Sequence, residues 1–250
     1  SHIRTLAVGS APPSAYAIEE FKRRWNIEII NLWGQNEGTA LVAGPHDVPD
    51  SSQRVDHLPW WGREGAQWAS AIPAVQVKIV GEDGAVLTEP GGVGELAYRG
   101  PNVFPGYFKR PDVNAKSFDA DGFFYTGDTF KILEGNFVSF FDRKKDIIIR
   151  GGFNISAAEV ENMALGYPAI VDCAAIAVPD EIMGEKVCLC VVPRDPERPP
   201  TLGEVTGWMR EQGFGSYKLP ESLRVVEVIP RNPVGKILKR ELREATTAAV

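Results

Sequence analysis

The side chains that could do chemistry narrow the field by what they cannot form. The three histidines, His2, His46 and His57, stand in no metal-ligand spacing, and no nucleophile elbow of the Gly-x-Ser-x-Gly kind occurs. Cys173, Cys188 and Cys190 are odd in number and contain no Cys-x-x-Cys pair, so they read as core thiols of a reduced, cytoplasmic protein rather than as disulfides or a zinc site. Gly235-Lys236 has the ending of a phosphate loop. That loop needs Gly where Pro230 stands and Ser or Thr where Ile237 stands, and no Gly-x-Gly-x-x-Gly fingerprint exists elsewhere. Hydrolase, metalloenzyme and dinucleotide-binding readings therefore lack their parts. What remains is a scatter of short polar motifs: Gly9-Ser10-Ala11-Pro12, Trp33-Gly34-Gln35-Asn36-Glu37, Thr126-Gly127-Asp128, Arg143 with Lys145, Gly151-Gly152 and Lys236.

The elements that must position them alternate between two styles. Residues 4–8 read as a strand. Ser14 opens a helix whose stripe is Ile18, Phe21 and Trp25, and Ile27–Ile30 is a second strand, together a βαβ unit with parallel strands. The loops Gly9–Pro13 and Asn31–Gly38 then share the carboxyl edge, where open α/β sheets bind ligands. Trp60, Trp61 and Trp68 read as pins of a surface loop. From about residue 72, Val75–Val80, Gly94–Arg99 and Lys131–Phe141 predict a small antiparallel β subdomain with a hairpin turn at Glu134-Gly135-Asn136.

Asp142–Asp146 is a charged run without periodicity and reads as a linker. An α+β module follows. It comprises a strand at Ile147–Ile149, a helix capped by Ser156 and Glu159 and closed by Gly166, strands at Val171–Val178 and Val187–Val192, a helix from Leu202 to Gln212, a strand at Leu223–Ile229 and a helix from Leu238. Cys188 and Cys190 share one strand face.

With 250 residues and 44% apolar composition the chain can bury a sizeable core. A net charge of −6 argues against a nucleic-acid binder, and no apolar run is long enough for a transmembrane segment. The chain starts at Ser1 with a strand following at once, so it is expected to begin inside a domain, without a signal peptide.

The motifs above, with Gly94-Glu95-Leu96, Arg99-Gly100, Glu159-Val160-Glu161 and Tyr217-Lys218-Leu219-Pro220, occur in an order that resembles the adenylate-forming superfamily: acyl-CoA synthetases, firefly-type luciferases and peptide-synthetase adenylation domains. The resemblance implies α/β plus α+β architecture. Residues 1–144 would be the rear part of the large adenylate-binding domain, and 145–250 a small mobile carboxyl-terminal domain. It implies an ATP-dependent carboxylate–CoA ligase using ATP, Mg²⁺ and coenzyme A on a small carboxylic acid.

By the same resemblance, Gly9, Ser10, Ala11, Pro12, Asn31, Gly34 and Gln35 line the nucleotide pocket, and Trp33 stacks on adenine. Asn36, where relatives carry Thr, donates to a phosphate, and Glu37 helps to hold Mg²⁺. Asp128 accepts from the ribose hydroxyls, and Arg143 contacts ribose or phosphate. Lys145 is the hinge, Gly151 and Gly152 line the pantetheine channel, and Lys236 is the catalytic lysine of adenylation. The family's Pro-Lys-Gly phosphate loop is absent from the sequence. The expectation is that an amino-terminal portion of the same polypeptide supplies it and that this chain alone is inactive. An adenylation domain that loads a carrier protein, and a non-catalytic AMP-binding piece, are the alternatives.

Overall fold

The computed structural model describes residues 2–9, 13–233 and 235–247, and its contacts divide the chain into two units, 1–141 and 142–250.

The first unit opens with β1 (Thr5–Val8), α1 (Ala15–Trp25), β2 (Glu28–Gln35) and β3 (Gly38–Ala43). β1 and β2 pair in parallel, as the strand–helix–strand order predicts, and β3 returns antiparallel to β2. Ser14 caps α1, its side chain accepting from the Ala17 N–H. Of the expected helix stripe, Ile18 is fully buried, whereas Trp25 is 53% exposed and packs edge-on against Phe21. The expected loop Asn31–Gly38 is instead mostly strand. β2 continues through Gln35, only Asn36 and Glu37 turn, and Gln35 pairs with Gly38. The physical reason is tertiary: Trp33 lies opposite the buried Leu41 and meets Phe130 edge to face at 5.2 Å.

The rest of the unit is a six-stranded antiparallel sheet. Its strands are β4 (Leu58–Pro59), β5 (Gln76–Val80), β6 (Val86–Leu87), β7 (Val93–Arg99), β8 (Phe124–Leu133) and β9 (Phe137–Arg143), in the order β4-β9-β8-β7-β5-β6. A short helix, α2 (Pro111–Ser117), precedes β8. The hairpin at 134–136 forms as expected, with Gly135 and Asn136 at positive φ. The tryptophan segment is not a surface loop. Trp60 and Trp61 are core side chains, with the Trp60 indole donating to the Val77 carbonyl at 2.8 Å and that of Trp68 to the Trp60 carbonyl at 3.2 Å. These rings carry too much apolar area to leave outside, and each finds an acceptor for its one N–H.

In the second unit β10 (Ile148–Arg150) and β11 (Phe153–Ile155) form a hairpin, followed by α3 (Ala157–Leu165), β12 (Ile170–Asp180), β13 (Gly184–Pro193), α4 (Leu202–Glu211), β14 (Ser222–Val225) and α5 (Lys239–Thr247). β12 and β13 pair antiparallel over their whole length, and β14 joins β13 in parallel. One face of the sheet packs Cys173, Ala175, Leu189 and Val191 with Val160 of α3 and Val205 and Met209 of α4. The opposite face packs Ala174, Ile176, Cys188 and Cys190 with Leu242 of α5. Burial on both faces is why β12 and β13 read as unbroken apolar runs rather than as alternating ones. All three cysteines are buried and unpaired. Gly166 ends α3 at an ordinary helical φ of −71°. It is glycine because a Cβ there would stand 2.7 Å from the Trp208 ring.

The charged run 142–146 is not a solvated linker. Asp142 and Arg143 complete β9, residues 144–146 make one 3₁₀ turn, and Asp142 and Asp146 are buried. Asp142 Oδ2 accepts from the Ser156 hydroxyl at 2.9 Å and the Ala158 N–H at 3.1 Å, so it helps to cap α3.

Candidate active site

Two interruptions of regular pairing create the candidate site of the first unit. In the β2–β3 hairpin the register slips between Trp33 and Gln35. Between β7 and β8 it slips from Glu95↔Thr129 to Ala97↔Tyr125, so Thr126, Gly127 and Asp128 bulge out of the ladder. Such bulges re-aim side chains. Gly127 takes a φ of 72°, which only glycine adopts cheaply, and its N–H donates to Glu95 Oε1 at 2.9 Å. The Thr126 hydroxyl donates to the Leu96 carbonyl at 2.7 Å and accepts from the Asp128 N–H at 3.1 Å.

The bulge delivers Asp128, 8% exposed, to the end of β2. There the Trp33 indole N–H donates to Asp128 Oδ2 at 3.1 Å, and the Gln35 amide donates to the same oxygen at 3.4 Å and to the Thr126 carbonyl at 2.9 Å. Residues 93 and 95 positions apart in sequence thus fix the direction of one carboxylate. Glu37, in the adjoining turn, accepts from the Tyr107 hydroxyl at 3.0 Å through Oε1, and its carbonyl accepts from the Phe104 N–H at 2.8 Å.

Tyr107 is a site residue that sequence reasoning missed. Asn114 grips its backbone on both sides, Oδ1 accepting from the Tyr107 N–H at 2.7 Å and Nδ2 donating to its carbonyl at 3.0 Å. Burial, and then the hydrogen bond to Glu37, push the Tyr107 phenol above its ordinary range. Tyr98 was missed as well. It is 1% exposed, and its hydroxyl has no hydrogen-bond partner among the described residues. Burial first, and then the charges of Glu37, Tyr107 and Asp128, hold it strongly protonated.

The remaining expected residues of this unit fall into four groups. Gly34 and Asn36 are exposed beside Gln35 and Glu37. Gly9 follows β1, and a Cβ there would stand 3.0 Å from the Leu32 carbonyl. Asn31 is spent on the scaffold, its amide donating to the Val55 carbonyl at 3.0 Å. Ser10, Ala11 and Pro12 lie outside the described residues.

In the second unit Arg143 is half-buried, its carbonyl accepting from the Ile147 N–H at 3.1 Å. Lys145 is exposed, and Arg243 of α5 donates to its carbonyl at 3.2 Å and to Asp146 Oδ1 at 3.0 Å. Gly151 and Gly152 form the two-residue turn of the β10–β11 hairpin with φ of 55° and 85°, the positive pair of a type I′ turn. A Cβ on Gly151 would collide with Met183, while Gly152 faces open space. Lys236 is exposed in the segment leading to α5, its N–H donating to Asn232 Oδ1 at 2.8 Å.

Among the described residues no three His, Cys, Asp or Glu side chains cluster to hold a metal ion, and no helix is long and apolar enough to cross a membrane.

Comparison with known proteins gives the class. The description of AMP-binding enzymes matches residues 1–108, and that of the AMP-binding enzyme C-terminal domain matches 159–236. The medium-chain fatty-acid–CoA ligase of Escherichia coli is 36% identical over 242 residues, which are 96% of this chain and 40% of that protein. The 2,3-dihydroxybenzoate-AMP ligase of Bacillus subtilis is 33% identical over 248 residues, 98% of this chain and 43% of that protein. The o-succinylbenzoate CoA synthetase MenE of B. subtilis, solved with an acyl-adenylate intermediate, superposes with a TM-score of 0.79 at 28% identity, over 96% of this chain and 46% of that one. These relatives are AMP-forming ligases, and their architecture is the α/β plus α+β order described above. The chain belongs to the adenylate-forming superfamily of AMP-binding enzymes. It spans less than half the length of each of these relatives.

Proposed function

We propose that this chain is the rear part of a carboxylate–CoA ligase that makes an acyl-adenylate and then an acyl-CoA thioester. The observation that carries the reading is the Asp128 carboxylate, aimed by Trp33 and Gln35 from an interrupted strand pair next to Glu37. A carboxylate can accept from both hydroxyls of a ribose, and a flat indole offers a face to adenine.

In the first half-reaction a carboxylate oxygen of the acid bonds to the α-phosphorus of ATP as the bond to the β-phosphate breaks and pyrophosphate leaves. In the second, the thiol sulfur of CoA bonds to the acyl carbon, the carbon–oxygen bond to AMP breaks, and the thiol proton passes to solvent. Asp128 binds the ribose. Trp33 stacks on the base, with Gly9–Pro12, Gly34 and Gln35 as the other nucleotide-binding positions. The Asn36 amide donates to a phosphate, and Arg143 binds ribose or phosphate. Lys236 stabilises the negative charge that builds at the α-phosphate. Lys145 is the pivot at which residues 145–250 turn between the half-reactions, and Gly151 and Gly152 leave room for the pantetheine arm.

Glu37 fits Mg²⁺, an ion commonly held by one or two carboxylates with phosphates and waters rather than by a protein cage. It is a single half-buried carboxylate whose Oε1 is oriented by Tyr107. The ion supplies charge neutralisation to the phosphates. A preceding portion of the same polypeptide supplies the phosphate loop, in keeping with the 40–46% of each relative's length that the chain spans.

The likeness to a 2,3-dihydroxybenzoate-AMP ligase favours a second reading, in which an aryl adenylate is passed to a carrier-protein thiol.

The test is acid-dependent ATP–pyrophosphate exchange by the full-length polypeptide over fatty, aromatic and alicyclic acids, followed by addition of CoA or a pantetheinylated carrier. Exchange with at least one acid class and thioester formation on CoA are expected. Acylation of the carrier alone selects the second reading, and no exchange with any acid overturns both.

A further inference from the structure

We propose that Asp172 and Arg231 are positioning residues for Lys236, fixing the loop that carries its ammonium. This rests on the adenylation role proposed above for Lys236.

The segment from Pro230 to Leu238 leaves the body of the second unit and returns to it. The Leu238 N–H donates to the Pro230 carbonyl at 2.8 Å, and Arg231 bridges to Ile237. Inside this closure Asn232 holds both backbone groups of Lys236. Its N–H donates to the Lys236 carbonyl at 2.9 Å, and its Oδ1 accepts from the Lys236 N–H at 2.8 Å. The Gly235 N–H donates to the Asn232 carbonyl at 2.9 Å, with Gly235 at a φ of 84°. Arg231, Pro233, Gly235 and Lys236 are all exposed. Local hydrogen bonds shape this tip, and among its described residues Ile237, which follows Lys236, packs partly buried against the β12–β13 face.

Ahead of Lys236 the tie to the sheet is ionic. Arg231 Nη1 donates to the Gly235 carbonyl, the one immediately before Lys236, at 3.0 Å. Its Nη2 donates to both carboxylate oxygens of Asp172, at 2.8 and 3.0 Å. Asp172 belongs to β12, where the pairing with β13 slips between Ile170 and Asp172, and its Oδ1 also accepts from the Cys173 N–H at 2.9 Å. A rigid strand therefore reaches the Lys236 backbone through one carboxylate and one planar guanidinium, a pairing whose fork geometry defines direction as well as distance.

On the far side of Lys236 the start of α5 is tied down separately, by the Lys239–Glu161 ion pair at 2.9 Å. Lys236 thus lies between two anchors. The inner one is buried and holds the helix. The outer one is 30–39% exposed at its side chains, and pairs this wet add little to stability. Its use is to hold the loop in place, and misplacing a catalytic group by about 1 Å can cost as much as 10²-fold in rate. Asp172 also offsets the charge of Arg231, which otherwise stands in a loop and helix start rich in cations: Lys236, Lys239 and Arg240.

The test compares wild type with Asp172→Asn, Asp172→Glu and the exposed α5 control Arg240→Gln. Hydrogen exchange of the Lys236 amide is followed in the 250-residue chain, and both half-reactions are measured in the full-length polypeptide. Asp172→Asn is expected to speed Lys236 amide exchange and to slow acid-dependent pyrophosphate exchange by about 10-fold or more. It should leave acyl transfer from a supplied acyl-adenylate to the thiol, and the unfolding midpoint, at wild-type values. Asp172→Glu should recover part of the loss, and Arg240→Gln should match wild type. The proposal is overturned if Asp172→Asn leaves amide exchange unchanged, or if it slows both half-reactions alike with a lower unfolding midpoint. If wild type itself shows no pyrophosphate exchange, the ligase reading fails, and the amide measurement alone decides the clamp.

Discussion

Asp128 and Tyr98 lie close in the first unit and illustrate opposite treatments of a buried polar group. Asp128 accepts from Trp33 and Gln35, so its direction is set before any ligand arrives. Replacing Trp33 by Phe keeps a ring and removes the donor. We expect Trp33→Phe to weaken AMP binding by roughly 10-fold or more, the worth of one hydrogen bond to a charged group, as read by calorimetric titration. An unchanged affinity would remove Trp33 from the role of aiming Asp128. Tyr98, by contrast, buries a hydroxyl with no partner among the described residues. Tyr98→Phe should therefore stabilise the protein by about 1 kcal/mol, seen as a higher midpoint in urea, because an unmade buried hydrogen bond costs more than its removal. A lower midpoint would mean that the hydroxyl has a partner. At this scale the motifs were legible wherever neighbours in sequence act together, as Thr126, Gly127 and Asp128 do. Tyr107 was not legible, because it meets Glu37 across 70 positions through a loop that Asn114 holds in shape, and no local spacing encodes that meeting.

Elements were legible where burial is two-sided or caps are local. The apolar runs of β12 and β13 and the Ser14 and Ser156 caps could be read directly. The end of β2 could not. Gly34, Gln35 and Asn36 are polar or small and look like loop, and only pairing with β3 makes the segment a strand. Gly166 was legible as a helix end, whereas the Trp208 ring that excludes a side chain there was not.

A further cap yields a pH prediction. Thr201 and Glu204 form a complete capping box on α4, and the Thr201 N–H, then its hydroxyl, hold the Glu204 carboxyl below its usual range. A lowered folded-state value adds stability above the unfolded carboxyl's range and loses it as pH falls through the folded value. Thr201→Ala should cost about 1 kcal/mol at neutral pH. Glu204→Gln should be less stable than wild type at pH 7, with the gap closing as pH drops below about 4, the unfolded glutamate value. A gap that widens on acidification would contradict the sign.

At the scale of the molecule, each unit carries its own apolar interior, one around Trp61, Leu96 and Phe130 and the other on both faces of β12 and β13. Residues 142–250 expressed alone are therefore expected to unfold in one cooperative transition, with coincident circular dichroism and fluorescence curves. Loss of structure in isolation would show that the second interior depends on the first unit. The division itself was legible only in outline. A charged run marks it, yet Asp142 and Asp146 are buried there and Asp142 caps α3, an arrangement that a reading by composition turns into a solvated linker.

The central claim is that the first unit binds the nucleotide through Asp128. The most direct test follows the tryptophan indole N–H resonances of the 250-residue chain during titration with AMP. The protein has six tryptophans, and the indole of Trp33 is bonded to Asp128. The account predicts a saturable shift of the Trp33 resonance, with those of the core residues Trp60 and Trp61 unmoved, and its disappearance in Asp128→Ala. AMP that moves no indole resonance, or that moves Trp33 equally well in Asp128→Ala, would contradict it.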